Sequence, residues 1–122
     1  MAVLKEGGRA AETAFEVLER FQGFAWIRFL PKTGRTHQIR VHAAAMGHPV
    51  VADTRYGRRS SLTLADLTGK EADRQTVLLS RQALHAARLE FEHPRTGEPM
   101  AVEAPLPEDL ARTLAALRQR AL

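Results

Sequence analysis

The stretch from Leu30 to Gly57 reads LPKTGRTHQIRVHAAAMGHPVVADTRYG. Its centre, Thr33-Gly34-Arg35-Thr36-His37-Gln38-Ile39-Arg40-Val41-His42, places two arginines, two histidines and a glutamine in ten positions. Gly34 supplies the backbone freedom for a tight turn, and the Thr36 hydroxyl suits one of the amides left unpaired where a helix begins. The pattern predicts a helix from near Thr36 through Ile39, Val41 and Ala43 to Ala45, stopped by Gly47 and Pro49. Thr36, Arg40 and Ala44 fall at i, i+4 and i+8 with His37 beside them, so the polar groups share one side. Ile39 and Met46 make the opposite side apolar enough to dock on a sheet. A glycine turn feeding the amino end of a docked helix, with guanidinium groups around it, suits a phosphate or another anion. The plain alternative is a surface helix whose arginines are solvated.

The distribution of charge favours the anion site. The chain has a net charge of only +4, yet Arg28 to Arg59 holds seven of its eighteen cations and one of its fourteen acids, Asp53. The rest, eleven cations against thirteen acids, is net negative. Positive charge concentrated at a helix start is the footprint of a polyanion site.

Working outward, Thr13 to Phe21 alternates, with Phe15, Val17 and Phe21 against Glu16 and Arg20, and reads as a half-buried strand. Gln22-Gly23 suits a two-residue hairpin connection to a returning strand, Phe24 to Leu30. The aromatics Phe24, Trp26 and Phe29 read as core rather than as a platform for bases. Residues 1–12 read as a loose leader and 58–76 as a surface loop, with room for one helical turn near Ala65. A second hairpin is expected from a strand beginning about Leu84, a turn at His93 to Glu98, and a partner strand at Pro99 to Ala104. Leu110, Leu114 and Leu117 lie at helical spacing, so the chain closes on an amphipathic helix from Glu108, whose opening acids suit the helix dipole. The expected architecture is α+β, a mainly antiparallel sheet with a short motif helix and a C-terminal helix, within one domain of 122 residues.

Composition and spacing remove several chemistries. Zero cysteines exclude a disulfide framework, thiolate-ligated zinc and a thiolate nucleophile. His37 and His42, at i and i+5, sit about 140° apart around a helix, whereas a two-histidine helical zinc site uses i and i+4, so no metal is expected. No nucleophile elbow, dinucleotide fingerprint or P-loop can be assembled. Apolar runs are too short for a membrane span and no signal peptide is evident, so a soluble cytoplasmic protein is expected.

The ten-residue motif, followed by Gly47-His48-Pro49-Val50 and by Asp53 to Gly57, resembles the closing motif of the RluA-type RNA pseudouridine synthases. Arg81-Gln82-Ala83-Leu84-His85-Ala86, the His93-Pro94 turn and Glu103-Ala104-Pro105-Leu106-Pro107 resemble the end of the same catalytic domain. The resemblance implies isomerisation of uridine to pseudouridine in structured RNA, rRNA or tRNA, without cofactor: the N-glycosidic bond is cut, the base turned and rejoined through carbon. It implies that Arg40 pairs with the catalytic aspartate and keeps it ionised, that Ile39 belongs to the pocket wall, and that Arg35, Thr36, His37 and Gln38 line the RNA side.

The family's catalytic aspartate lies in an upstream His-Arg-Leu-Asp motif followed by Thr-Ser-Gly, with the pocket tyrosine after it. Neither is in these 122 residues. The chain therefore resembles the C-terminal half of the catalytic domain and is expected to be inactive alone. Where the family usually has Gly-Asp, this chain has Ala52-Asp53, with Asp53 in a structural role, and Tyr56 matches a Tyr-Gly turn rather than the pocket tyrosine. RNA is the expected partner, together with the missing N-terminal half or a second copy recruited through an open sheet edge or apolar patch. The rival expectation is a standalone, non-catalytic RNA-binding module.

Overall fold

The computed structural model describes residues 2–6, 11–32 and 37–120. Among the described residues, three small antiparallel sheets and three α-helices follow one another. The architecture is α+β, as the alternation of strand and helix patterns implies.

The first sheet has the order β1 (Ala2–Glu6), β2 (Ala11–Phe21) and β3 (Phe24–Pro31). Residues 2–6, expected as part of a loose leader, instead pair with β2, Ala2 opposite Phe15 and Glu6 opposite Ala11. The β2–β3 hairpin turns at Gln22-Gly23 with Phe21 opposite Phe24. Its register slips by one between Val17 and Glu19. Leu18 is the inserted residue and is left exposed, which a simple alternation does not anticipate.

Helix α1 (Gln38–Ala45) packs on this sheet. Its N-cap is His37, close to the start expected near Thr36; the expected Thr36 cap, with Thr33, Gly34 and Arg35, lies outside the described residues. The side that docks is also different from the expected one. Gln38, His42 and Ala43 are the buried residues, whereas Ile39 and Met46 are half-buried. The reason is a polar lock: the Thr13 hydroxyl on β2 accepts from Gln38 Nε2 at 2.7 Å and shares a 3.0 Å hydrogen bond with His42 Nδ1. A buried polar cluster of this kind fixes register, because any slip leaves its members unpaired. Gly47, at φ +82°, ends the helix as expected.

Residues 58–76 hold the helical turn expected near Ala65, and carry more structure besides than the expected loop. Thr63 closes a two-residue strand, β4 (Leu62–Thr63), and opens α2 (Leu64–Thr68) with a capping box, its hydroxyl accepting from the Asp66 N–H while the Asp66 carboxylate accepts from the Thr63 N–H. A single 3₁₀ turn (Glu71–Asp73) leads to β5 (Val77–Leu79), which pairs with β4. This segment supplies much of the core: Leu62, Leu67, Leu78 and Leu79 are buried with Leu110 and Leu117 of α3 (Glu108–Arg120), and Phe21, Phe24 and Leu106 pack against them. Arg81 ties the start of α3 to the chain before it, its Nε and Nη2 each 3.0 Å from the Asp109 carboxylate.

The second hairpin starts at Arg88 rather than Leu84, pairing β6 (Arg88–Glu92) with β7 (Pro99–Glu103). Leu89 faces Val102 and Phe91 faces Met100, so four large apolar side chains share one face. All four are exposed, Leu89 and Val102 by more than half of their surface.

Candidate functional site

Arg40 emerges from the first turn of α1, and thirteen residues later the chain returns Asp53 to meet it. Asp53 is fully buried and the Arg40 side chain is 13% exposed. Arg40 Nε donates to Asp53 Oδ2 and Nη2 donates to Oδ1, both at 2.7 Å, a two-pronged pairing of planar groups. Oδ1 also accepts the backbone N–H groups of Arg55 at 3.0 Å and Tyr56 at 3.2 Å. The Arg40 bond first, then these two amides, hold the Asp53 carboxyl at about 2, well below the ordinary value, against the opposing effect of burial. The same contact raises the Arg40 guanidinium above its usual range.

The turn that carries Asp53 is tightly built. Ala52 sits at φ +59° and is buried, in the left-handed region where glycine is favoured, and this is where the resembling family usually has glycine. Gly57 is needed for a different reason: a Cβ there would stand 2.7 Å from the Asp53 carbonyl oxygen, which accepts the Gly57 N–H at 2.9 Å. The turn delivers Tyr56 onto the arginine, with Arg40 Cζ 5.2 Å from the ring centroid. Arg55 Cζ lies 5.5 Å from the same centroid. On its far side the Tyr56 hydroxyl hydrogen-bonds His37 Nδ1 at 3.1 Å.

Of the residues singled out by sequence, the structure therefore brings Arg40 and His37 together, with Ile39 half-buried beside them on α1. Gln38 points into the α1–β2 contact and bonds Thr13. Arg35 and Thr36 lie outside the described residues. From the sequence, Asp53 reads as scaffold and Tyr56 as a turn residue. The signal that would have raised Asp53 was its being the only acid among seven cations between Arg28 and Arg59. Arg40 is not a bare guanidinium awaiting an acid from elsewhere, since an acid of its own chain already holds one edge. A guanidinium has five N–H donors, and Asp53 takes two. The Nη1 pair and the second Nη2 hydrogen have no hydrogen-bond partner among the described residues. Among the described residues there is no cluster of three or more histidines or acids placed to hold a metal ion, and no helix long and apolar enough to cross a membrane.

Comparison with known proteins points to one family. Residues 1–45 match the family model described as RNA pseudouridylate synthase. The chain is 47% identical over 114 residues to ribosomal large subunit pseudouridine synthase C of Yersinia pestis, covering 93% of this chain and 33% of that protein. It is 46% identical over 121 residues to ribosomal large subunit pseudouridine synthase D of Neisseria meningitidis, covering 99% of this chain and 31% of the relative. An uncharacterized RNA pseudouridine synthase of Bacillus subtilis, YlyB, is 44% identical over 119 residues, 98% of this chain and 34% of its own length. The chain thus spans about a third of the length of these relatives. With the motif, the fold and these likenesses in agreement, the chain belongs to the RluA-type RNA pseudouridine synthase family.

Proposed function

We propose that this chain is the arginine-bearing, C-terminal part of a pseudouridine synthase catalytic domain, acting in the cytoplasm on structured RNA. The substrate is rRNA, in keeping with the ribosomal large subunit relatives, with tRNA as the second candidate. The observation that carries this reading is the state of Arg40: nearly buried, fixed in plane by Asp53, and with its other donor edge unpaired among the described residues. A catalytic aspartate placed against that edge would be kept ionised and oriented by an adjacent positive charge. The target uridine leaves its stack and enters the pocket. Its glycosidic bond is cut, the base turns, and it is rejoined through carbon, with no cofactor. Ile39 walls the pocket, and Arg35, Thr36 and His37 line its RNA side. Gln38 contributes through its bond to Thr13, which holds the helix in place. Lacking the His-Arg-Leu-Asp motif, the chain is inactive by itself.

The apolar face of the β6–β7 hairpin has nothing over it among the described residues, and a two-stranded sheet is marginal alone. In isolation the chain self-associates through this face. A second functional reading is a non-catalytic RNA-binding module, favoured by the one observation that Asp53 already balances the Arg40 charge. Both readings expect salt-dependent RNA binding, since neutralised phosphates release counterions. The test is affinity for a structured rRNA fragment across a salt series, for the chain and for the double variant Arg35→Ala, Arg40→Ala. Weaker binding with a shallower salt slope supports the site. Unchanged affinity removes it.

A further inference from the structure

We propose that Tyr56, braced by His37, is a positioning residue for Arg40, and that His37 serves the site through this contact. The inference rests on the reading that Arg40 is the group that meets a catalytic carboxylate. Asp53 grips the guanidinium along one edge and fixes it in its own plane, but two parallel hydrogen bonds leave it free to rock about the edge they share. The Tyr56 ring is the surface that limits that motion, with Arg40 Cζ 5.2 Å from its centroid, a cation facing a π system.

The ring is itself held at both ends. Its backbone N–H is bound by Asp53 Oδ1, so the carboxylate that grips Arg40 also sets the turn bearing Tyr56. Its hydroxyl is bound by His37 Nδ1, and the two rings meet edge to face at 5.8 Å and 78°. The backbone of His37 gives the second, independent clue. It takes φ +55° and ψ +23°, uncommon for a residue with a Cβ, at the N-cap of α1. A residue in that place ordinarily caps the helix with its side chain, yet His37 makes no such bond. The strained conformation is kept while the imidazole goes to Tyr56, as expected where strain serves a site rather than a helix end.

The test is NMR of the 122-residue chain with ¹⁵N-labelled arginine, following solvent exchange of the Arg40 Nε proton. Arg88, ion-paired with Glu90 and Glu103 and far from Tyr56 in the chain, is the internal control. Tyr56→Leu removes the ring and Tyr56→Phe removes only the hydroxyl that His37 binds. Loss of a partly desolvated cation–π contact should speed Arg40 exchange by about three- to thirtyfold in Tyr56→Leu, with a smaller rise in Tyr56→Phe and no change at Arg88. If Tyr56→Leu does not fold, Tyr56→Phe decides alone. Arg40 exchange within about twofold of the parent in Tyr56→Leu, or, where that variant does not fold, unchanged exchange in Tyr56→Phe, even with a lowered melting temperature, would overturn the proposal and leave Tyr56 as ordinary packing. The readout is a proton on Arg40 itself, so it is independent of RNA. If exchange responds while RNA affinity ignores Arg40, the functional reading fails and the positioning contact stands.

Discussion

Replacing Asp53 with asparagine separates charge from shape at the centre of the site. The substituted amide keeps an oxygen for the backbone N–H groups of Arg55 and Tyr56, but it turns an NH₂ or a weaker acceptor toward the Arg40 Nε and Nη2 hydrogens. It also leaves a nearly buried cation without its counter-charge. Removing one partner of a buried ion pair costs about 3–5 kcal/mol, and because the Arg40 side chain retains 13% exposure the lower end applies, about 3 kcal/mol. For a domain of this size that is a fall in Tm of roughly 10 °C or more. The sign of the pH dependence is fixed by the depressed Asp53 carboxyl, about 2 against an ordinary 3.8. A carboxylate whose pKa is lowered by folding contributes stability that is complete above pH 4 to 5 and is lost as the pH falls toward 2, here no more than about 2 kcal/mol. Urea unfolding of parent and Asp53→Asn between pH 7 and pH 2 should therefore give a gap that is constant near neutrality and narrows in acid. A variant within about 0.5 kcal/mol of the parent at pH 7, or a gap indifferent to pH, would refute the claim that this pair holds the turn on the helix.

Ala52→Gly should be neutral or stabilise by up to about 1 kcal/mol, because relief of the left-handed alanine offsets the greater chain entropy of glycine; thermal denaturation showing a loss above that amount would contradict the strain. Thr13→Val keeps shape but removes the hydroxyl that bonds Gln38 Nε2 and His42 Nδ1, and should cost about 1–3 kcal/mol in urea unfolding, with Thr13→Ser restoring most of it. The double variant Leu89→Lys, Val102→Glu places an ion pair on the apolar hairpin face and should shift the sedimenting species to monomer without lowering Tm. A parent chain that is already monomeric at high concentration would dispose of the self-association.

Much of this fold was legible from residue patterns. The β2–β3 hairpin, the His93 to Glu98 turn, the short motif helix and the terminal amphipathic helix all follow from alternation, turn chemistry and 3.6-residue spacing. What escaped had physical causes. The docking face of α1 is carried by Gln38 and His42, and a polar lock leaves no trace in a reading that seeks apolar stripes. Residues 58–76 look like loop because their buried leucines, Leu62 and Leu67, fall in a largely polar stretch with no sustained period. Even so, Thr63 followed three residues later by Asp66 was a readable capping box. Strand β1 depends wholly on pairing with β2, which no local signal specifies. At the site, the motif made Arg40 legible, whereas its links to Asp53 and Tyr56 are tertiary. They arise only because the turn beginning at Ala52 folds back over the helix.

The most direct measurement mixes this chain with a separately expressed polypeptide corresponding to the preceding part of its relatives, the part that bears the His-Arg-Leu-Asp motif, and follows tritium release from uridine-labelled rRNA. The proposed role of Arg40 predicts no release from either piece alone, release from the mixture, and its loss when this chain carries Arg40→Lys, since a single ammonium cannot hold two carboxylates along two edges. Release by the chain alone, or undiminished release with Arg40→Lys, would contradict it.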